Sequence, residues 1–279
     1  MLILRTKNVV LVINMMLLLR LNISEFRLIK VFKINMHTGS SSRLKMVDHN
    51  ETYGRYILDS FSKFRGFKNV LDIGCGAGSD LLVVKKYNDK ANLTGIDFGN
   101  WNQEKLSKNN INLINLDIEK DKLPFESNHF DLIIANQVLE HTKELFWINH
   151  EVFRCLKIGG YFYVGVPNIL SLHNRILMLF GYHPTCSKSI SAHVRGFSPK
   201  DIKQFYRNIV GSFCTIESIK GSQFYPFPKK IARFLSTIFP SFAVSNFFII
   251  KKTSEYSSQF IDWPKNSCLE TNYFVGESL

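Results

Sequence analysis

Asn69-Val-Leu-Asp-Ile-Gly-Cys-Gly-Ala-Gly-Ser-Asp80 decides the fold, because an apolar run stops there in three glycines spaced two apart. Val70, Leu71 and Ile73 suit a strand buried on both faces. Gly74, Gly76 and Gly78 supply the positive φ and close backbone approach that a tight strand-to-helix turn needs, and Leu81 to Val84 open the helix that follows. The bare N–H groups of a helix N-terminus receive the polar end of a ligand, so the stretch reads as a nucleotide-type pocket.

The alternation continues outward. Strands are expected at 70–73, 93–96, 111–116, 130–135, 161–166, 213–219 and 246–251, with helices between them and one before them over 52–64. This pattern predicts an α/β fold: a doubly wound, Rossmann-like, mostly parallel seven-stranded sheet with helices on both faces. A helical lid at 229–239 is inserted near the C-terminus, and Pro240 ends it. Asp97 ends the second strand and Asp117 the third. Asp97 would accept from both hydroxyls of a nucleoside ribose, or else cap the next helix. Asp117 suits an adenine amino group, with Ile118 against the ring.

The chain has 279 residues, 45% of them hydrophobic, enough to bury a sizeable core. Its net charge of +12 is concentrated at one end: residues 1–45 hold eight Lys/Arg against Glu25 alone, a net of +7, which leaves +5 for the remainder. There is no basic stripe with interleaved aromatics, so no nucleic-acid partner is expected. Five scattered cysteines without a C-x-x-C pair fit a reducing, cytoplasmic setting. Residues 1–45 form a non-domain extension with an apolar stretch over 8–19 that is too short to span a bilayer. A start at Met36 or Met46, a peripheral membrane anchor and a cleavable targeting segment all fit it. The domain is placed at 46–253, and 254–279, which lacks periodicity, as a loosely ordered tail.

Spacing selects the cofactor. A dinucleotide fingerprint needs a glycine at position 79, where Ser79 stands, whereas Asp72-x-Gly74-x-Gly76-x-Gly78 resembles motif I of the class I S-adenosylmethionine-dependent methyltransferases. Leu123-Pro-Phe125 with Phe130 to His141 is similar to the fourth-strand block of their ubiquinone-type, small-molecule members. Leu156-Lys-Ile-Gly-Gly-Tyr161 through Asn168 is similar to their fifth-strand block, with a helix stop at Gly159-Gly160. The resemblance implies S-adenosyl-L-methionine as cofactor. It implies contacts from Asp72, Gly74, Cys75, Gly76 and Gly78, from Asp97 and Phe98, from Asp117 and Ile118, and from Asn136.

Some such enzymes carry E-x-x-E-H after the fourth strand and place a divalent metal there. This chain has Gln137-Val-Leu-Glu140-His141, one carboxylate short of a hard-cation site, so no metal is expected. His141 either takes a proton from the acceptor, a task suited to imidazole, or only orients its loop. A helix over 170–180, stopped by Gly181 and Pro184, is expected to carry an apolar face of Leu170, Leu172, Ile176, Leu177, Leu179 and Phe180 and to overhang the cofactor. Around it His173, Arg175, His193 and Arg195 either bind an acceptor, the arginines clamping an anionic group, or form a solvated face. His150-Glu151 lacks a second zincin histidine, and there is no G-x-S-x-G elbow. The expected activity is methylation of a small-molecule or lipid- or sugar-linked acceptor at O or N, with peripheral membrane contact through the basic lid helix as a further expectation. The alternatives are a nucleotide-dependent oxidoreductase and a non-catalytic cofactor-binding scaffold.

Overall fold

Seven strands, β1 (Asn69–Ile73), β2 (Asn92–Asp97), β3 (Ile111–Asn115), β4 (Phe130–Asn136), β5 (Leu156–Pro167), β6 (Cys214–Ser222) and β7 (Ser245–Lys252), form one sheet in the order β3-β2-β1-β4-β5-β7-β6. The structure is a computed structural model and describes residues 49–188, 190–210, 213–268 and 276. The expectations for residues 1–45 lie outside them. Every pairing among β1 to β5 is parallel, and β7 runs antiparallel to both β5 and β6. The seven-stranded, mostly parallel sheet expected from the sequence is therefore present.

Helices α1 (His49–Thr52), α2 (Arg55–Ser62), α3 (Ser79–Lys85), α4 (Gln103–Lys108), α5 (Leu145–Cys155), α6 (Leu172–Leu179), α7 (Pro199–Val210), α8 (Lys229–Ile238) and α9 (Gln259–Asn266) fill the connections. The central strands are apolar on both faces, and successive side chains serve different cores. Leu71, Ile73, Ile133 and Ala135 join one buried cluster, whereas Val70, Leu132 and Ile134 join the other. Ser198 and Asp201 cap α7 reciprocally, each side chain accepting from the other's backbone N–H (3.1 and 3.2 Å), as Ser198-Pro199 foretold.

Three expectations need correction. The helix expected over 52–64 is broken at Gly54 (φ 56°), where a Cβ would lie 2.3 Å from the Phe247 ring. Close packing on β7 overrides helical periodicity there. The helix before β5 stops at Cys155, ahead of the glycine pair. Leu156 already pairs with Phe130, and Gly159 (φ 81°) and Gly160 form an irregularity inside β5, a Cβ on Gly160 falling 3.1 Å from the Phe130 carbonyl. The supposed tail contains α9, whose Phe260 is fully buried among Phe153, Tyr206 and Phe213. One aromatic residue entering a core cluster fixes a segment that periodicity leaves blank, and Val47–Leu279 forms one compact unit.

Candidate active site

Strand order reverses between β1 and β4, and open α/β sheets bind ligands outside the carboxyl ends at such a switch point. The glycine turn leaves β1 there, and Asn136 to His141 leaves β4. Gly74, Gly76 and Gly78 have φ of 68°, 50° and 74°. The turn is tied to β2: Gly74 and Cys75 donate backbone N–H to the Ile96 carbonyl (2.8 and 3.0 Å), and Gly76 donates to Asp97 Oδ2 at 2.8 Å. A Cβ on Gly74 would strike Val138 at 2.6 Å, so the two loops are neighbours. A Cβ on Gly76 would meet nothing within 4 Å, so the turn opens there into space fit for a ligand.

Asp72 is buried on β1, two residues before the turn. Burial drives its carboxyl well above the usual carboxylate range, the charge of Asp80 adds to the rise, and Arg55 opposes it. Asp80 is raised by burial too, although Arg55 Nε (2.8 Å) and Asn136 Nδ2 (2.8 Å) both donate to it. Asn136 Nδ2 also donates to the Tyr53 carbonyl at 2.8 Å. Sequence reasoning missed Arg55 and Asp80, whose pairing across 25 residues no local spacing announces. The Cys75 side chain packs toward Gly95, and burial pushes its thiol up to about 12, so this residue offers a ligand its backbone only.

Along the neighbouring edge, Asp117 Oδ1 accepts from the Glu119 N–H (3.0 Å) and Oδ2 pairs with Lys120 (3.4 Å). Each carboxylate oxygen retains a second lone pair for a ligand. Ile118 packs against the core, and Phe98 is exposed.

The stretch after β4 carries the clearest mark of function. Among the described residues, six buried side-chain N or O atoms lack a hydrogen-bond partner, and four of them are Asn136 Oδ1, Gln137 Nε2, Glu140 Oε1 and Glu140 Oε2. An unpaired buried polar atom costs about 1–3 kcal/mol, so four within five residues ask for a ligand. Gln137 also adopts φ 60°, a conformation that a non-glycine residue holds only when its surroundings impose it. Neither feature is visible in the sequence, where Gln137 reads only as a lost carboxylate.

Glu140 is 1% exposed, and burial pushes its carboxyl up to about 8. His141 lies beside it, Nε2 3.9 Å from Glu140 Oε1, and its ring meets that of His193 edge-on at 4.6 Å. His141 Nδ1 lies 3.1 Å from the Ala192 carbonyl and His193 Nδ1 2.7 Å from that of Cys186. A carbonyl can only accept, so both Nδ1 atoms carry the proton and both Nε2 atoms keep a lone pair in the neutral rings. One donor atom from each of Glu140, His141 and His193 lies within 4.8 Å of the others. The expectation of no metal rested on Gln137; the structure adds His193 as a third donor from 52 residues further on.

A raised acid pKa gives a definite sign. Stability from a neutral Glu140 is full below the ordinary value of 4.5 and is lost as pH rises through about 8. Glu140→Gln should remove that slope, gaining roughly 3–5 kcal/mol on wild type between pH 5 and 9. Thermal melts in the presence of a chelator test this. Parallel pH profiles for the two proteins would show that Glu140 is not held neutral.

The four supposed acceptor ligands are not assembled into one clamp. His173 is buried, its Nδ1 3.1 Å from Ser171 Oγ and its Nε2 3.0 Å from Thr185 Oγ1, and burial drives its pKa down to about 4. Arg175 donates to the Leu170 carbonyl (2.6 Å) and lies over the Phe242 ring (4.6 Å). Arg195 donates to the carbonyls of Thr142 (3.1 Å) and Lys143. Together with Val194 and Arg195 N–H donation to the Glu140 carbonyl, this straps the 192–195 segment over the β4–α5 loop. Only His193 joins His141; the arginines are engaged with local backbone.

Residues 71–164 match a family model described as a methyltransferase domain. The chain is 30% identical over 115 residues to the sterol 24-C-methyltransferase erg6 of Aspergillus fumigatus, covering 38% of this chain and 29% of that one. It is 28% identical over 190 residues to the uncharacterized methyltransferase C1B3.06c of Schizosaccharomyces pombe, covering 59% of this chain and 66% of the relative. The chain thus spans less than two thirds of the length of these relatives. The fold is shared with a SAM-dependent methyltransferase from Aquifex aeolicus (TM-score 0.51, 15% identity, 74% of this chain and 93% of that one). The glycine turn with Asp72 and Asp97, the switch-point loops and these matches agree, and residues 71–164 form a methyltransferase domain of the class I, S-adenosylmethionine-dependent type.

Proposed function

We propose that the chain transfers a methyl group from S-adenosyl-L-methionine to a small-molecule or lipid-linked acceptor oxygen or nitrogen. The observation that carries this reading is the cluster of unpaired buried atoms at Asn136, Gln137 and Glu140 beside an open glycine turn. The residues fit the cofactor: the turn leaves room at Gly76, Asp97 Oδ1 is available beyond the Gly76 tether, and Asp117 retains accepting capacity at the next strand end. When bound, the cofactor supplies an electrophilic methyl on a sulfonium, and the protein's tasks are to align the acceptor in line with it and exclude water.

His141 is the group placed to receive the acceptor's proton. Its Nδ1–H is spent on the Ala192 carbonyl, which fixes the tautomer that leaves Nε2 open. The placement of Arg175 and Arg195 gives no support to an anionic acceptor, so that part of the expectation is not carried forward. The sterol named for the Aspergillus relative supports a lipid-like substrate here, although that enzyme is named for methylation at carbon, so the choice of oxygen or nitrogen does not rest on it.

Equilibrium titration with S-adenosylmethionine and with NADH tests the cofactor, and appearance of S-adenosylhomocysteine across an acceptor panel tests the reaction. Cofactor binding with no turnover on any acceptor would favour the scaffold alternative. His141→Gln should lower kcat about 10²–10³-fold and leave cofactor Kd unchanged. An unaltered kcat would restrict His141 to holding the 192–195 strap.

A further inference from the structure

The described residues include fourteen large hydrophobic side chains that are exposed, and ten of them fall between Met178 and Phe239, in the segments that follow β5 and β6. These strands are parallel to β1 and β4, so both segments leave the sheet at the edge that carries the glycine turn. The two helices there are inverted relative to their amphipathic patterns. On α6 the buried residues are His173, Asn174 and Leu177, whereas Leu179 is 83% and Phe180 65% exposed. The apolar face expected on this helix thus leaves Leu179 and Phe180 in solvent. On α8 the small residues Ala232 and Ser236 are buried against β6, where the bare Gly221 allows close approach, and Ile231, Phe234 and Ile238 turn outward.

The inversion has a physical cause. The α6 polar groups are consumed by a buried network: Asn174 donates to the Asn168 carbonyl and accepts from Thr185 N–H, and His173 bridges Ser171 and Thr185. The base of α6 is fastened to both flanks of α8, since Asn168 Nδ2 donates to the Ser241 and Ala243 carbonyls and the His173 ring meets Tyr225 at 5.4 Å. The two outward apolar stripes therefore belong to neighbouring helices on one edge.

Charge names the partner. No Asp or Glu occurs between Glu151 and Asp201, or between Glu217 and Glu255. Lys229 and Arg233 in the second stretch are paired with Glu51, which leaves Lys188 and Lys230 as the cations that serve an outside partner. Lys188 and Lys230 are exposed. A protein partner of ordinary composition requires no such purge of acids from two separate segments. A surface that is apolar and uniformly anionic does, because each carboxylate would be repelled and would have to be desolvated.

We propose that the outer faces of α6 and α8 dock on an anionic lipid bilayer, presenting the carboxyl edge of the sheet to the membrane surface. No helix among the described residues is long and apolar enough to cross a membrane, so this contact is interfacial. It goes beyond the methyl-transfer reading and does not depend on it.

The test is flotation of the full chain with vesicles of phosphatidylcholine alone or mixed with phosphatidylglycerol. The wild type should bind the anionic vesicles selectively, and high salt should weaken that binding. L179E/F180E and F234E/I238E should each lower the partition coefficient about tenfold or more, since each buries charge in place of apolar area. K188E/K230E leaves the apolar residues intact and should abolish the preference for anionic lipid. Melting temperatures near wild type establish that the variants are folded; a variant that melts early is replaced by the charge-reversal pair. Equal binding of wild type to both vesicles overturns the proposal. So does wild-type partitioning of all three variants, which would assign the contact to residues 1–48. A monomerising effect of the glutamate variants with vesicle binding unchanged also overturns it, and marks the face as a contact between copies.

Discussion

Gly76→Val should leave a folded protein that no longer binds S-adenosylmethionine. At φ 50° a β-branched residue is a conformational outlier, and left-handed backbone costs an L-residue about 1–2 kcal/mol. The protein itself has room for the side chain, because a Cβ at this position meets nothing within 4 Å. That room is what the proposed ligand needs. Filling it should cost at least about 4 kcal/mol of binding, a thousandfold in Kd. The same substitution should lower thermal stability only modestly. Isothermal titration alongside a melt separates the two effects, and Gly76→Ala should fall between them. A folded valine variant with wild-type affinity would show that the glycine turn serves the fold alone and that the cofactor binds elsewhere.

Asp97→Ala should weaken the cofactor by about 3 kcal/mol, because two functions vanish with one carboxylate. Oδ2 holds the turn through the Gly76 N–H at 2.8 Å, and the charge is placed at the end of β2, where a ribose would lie. Asp97→Asn retains a carbonyl oxygen for Gly76 but loses the charge, so it should lose only about tenfold in affinity. If alanine and asparagine weaken binding equally, charge is irrelevant and the tether accounts for the whole effect. If neither changes Kd, the ribose assignment fails.

The architecture was legible because its signals are local. Apolar runs closed by Gly74, Gly76 and Gly78, by Asp97 or by Asn136 are short, and a doubly wound sheet repeats them in a fixed order. Strand limits from the sequence consequently agree with the structure to within a few residues, except where β5 starts early around Gly159-Gly160. The misread places share one feature: their conformation is set by contacts distant in the chain. Gly54 breaks a helix because Phe247 lies against it, and Phe260 anchors a segment without periodicity because Phe153 and Phe213 are waiting for it.

The site divides along the same line. Asp72, the glycines and Asp97 could be read from the sequence because a strand-turn-helix places them by covalent connection, whatever the rest of the chain does. Arg55 with Asp80, the strained Gln137, the buried Glu140 and the meeting of His141 with His193 came only from the tertiary structure. The sequence offered Arg175 and Arg195 as acceptor ligands, and packing committed both to backbone carbonyls. Periodicity placed apolar stripes on α6 and α8. Whether a stripe faces the core or the solvent depends on what competes for the inner side, and on α6 the buried Ser171, His173 and Asn174, with their hydrogen bonds to one another and to Thr185, occupied it first.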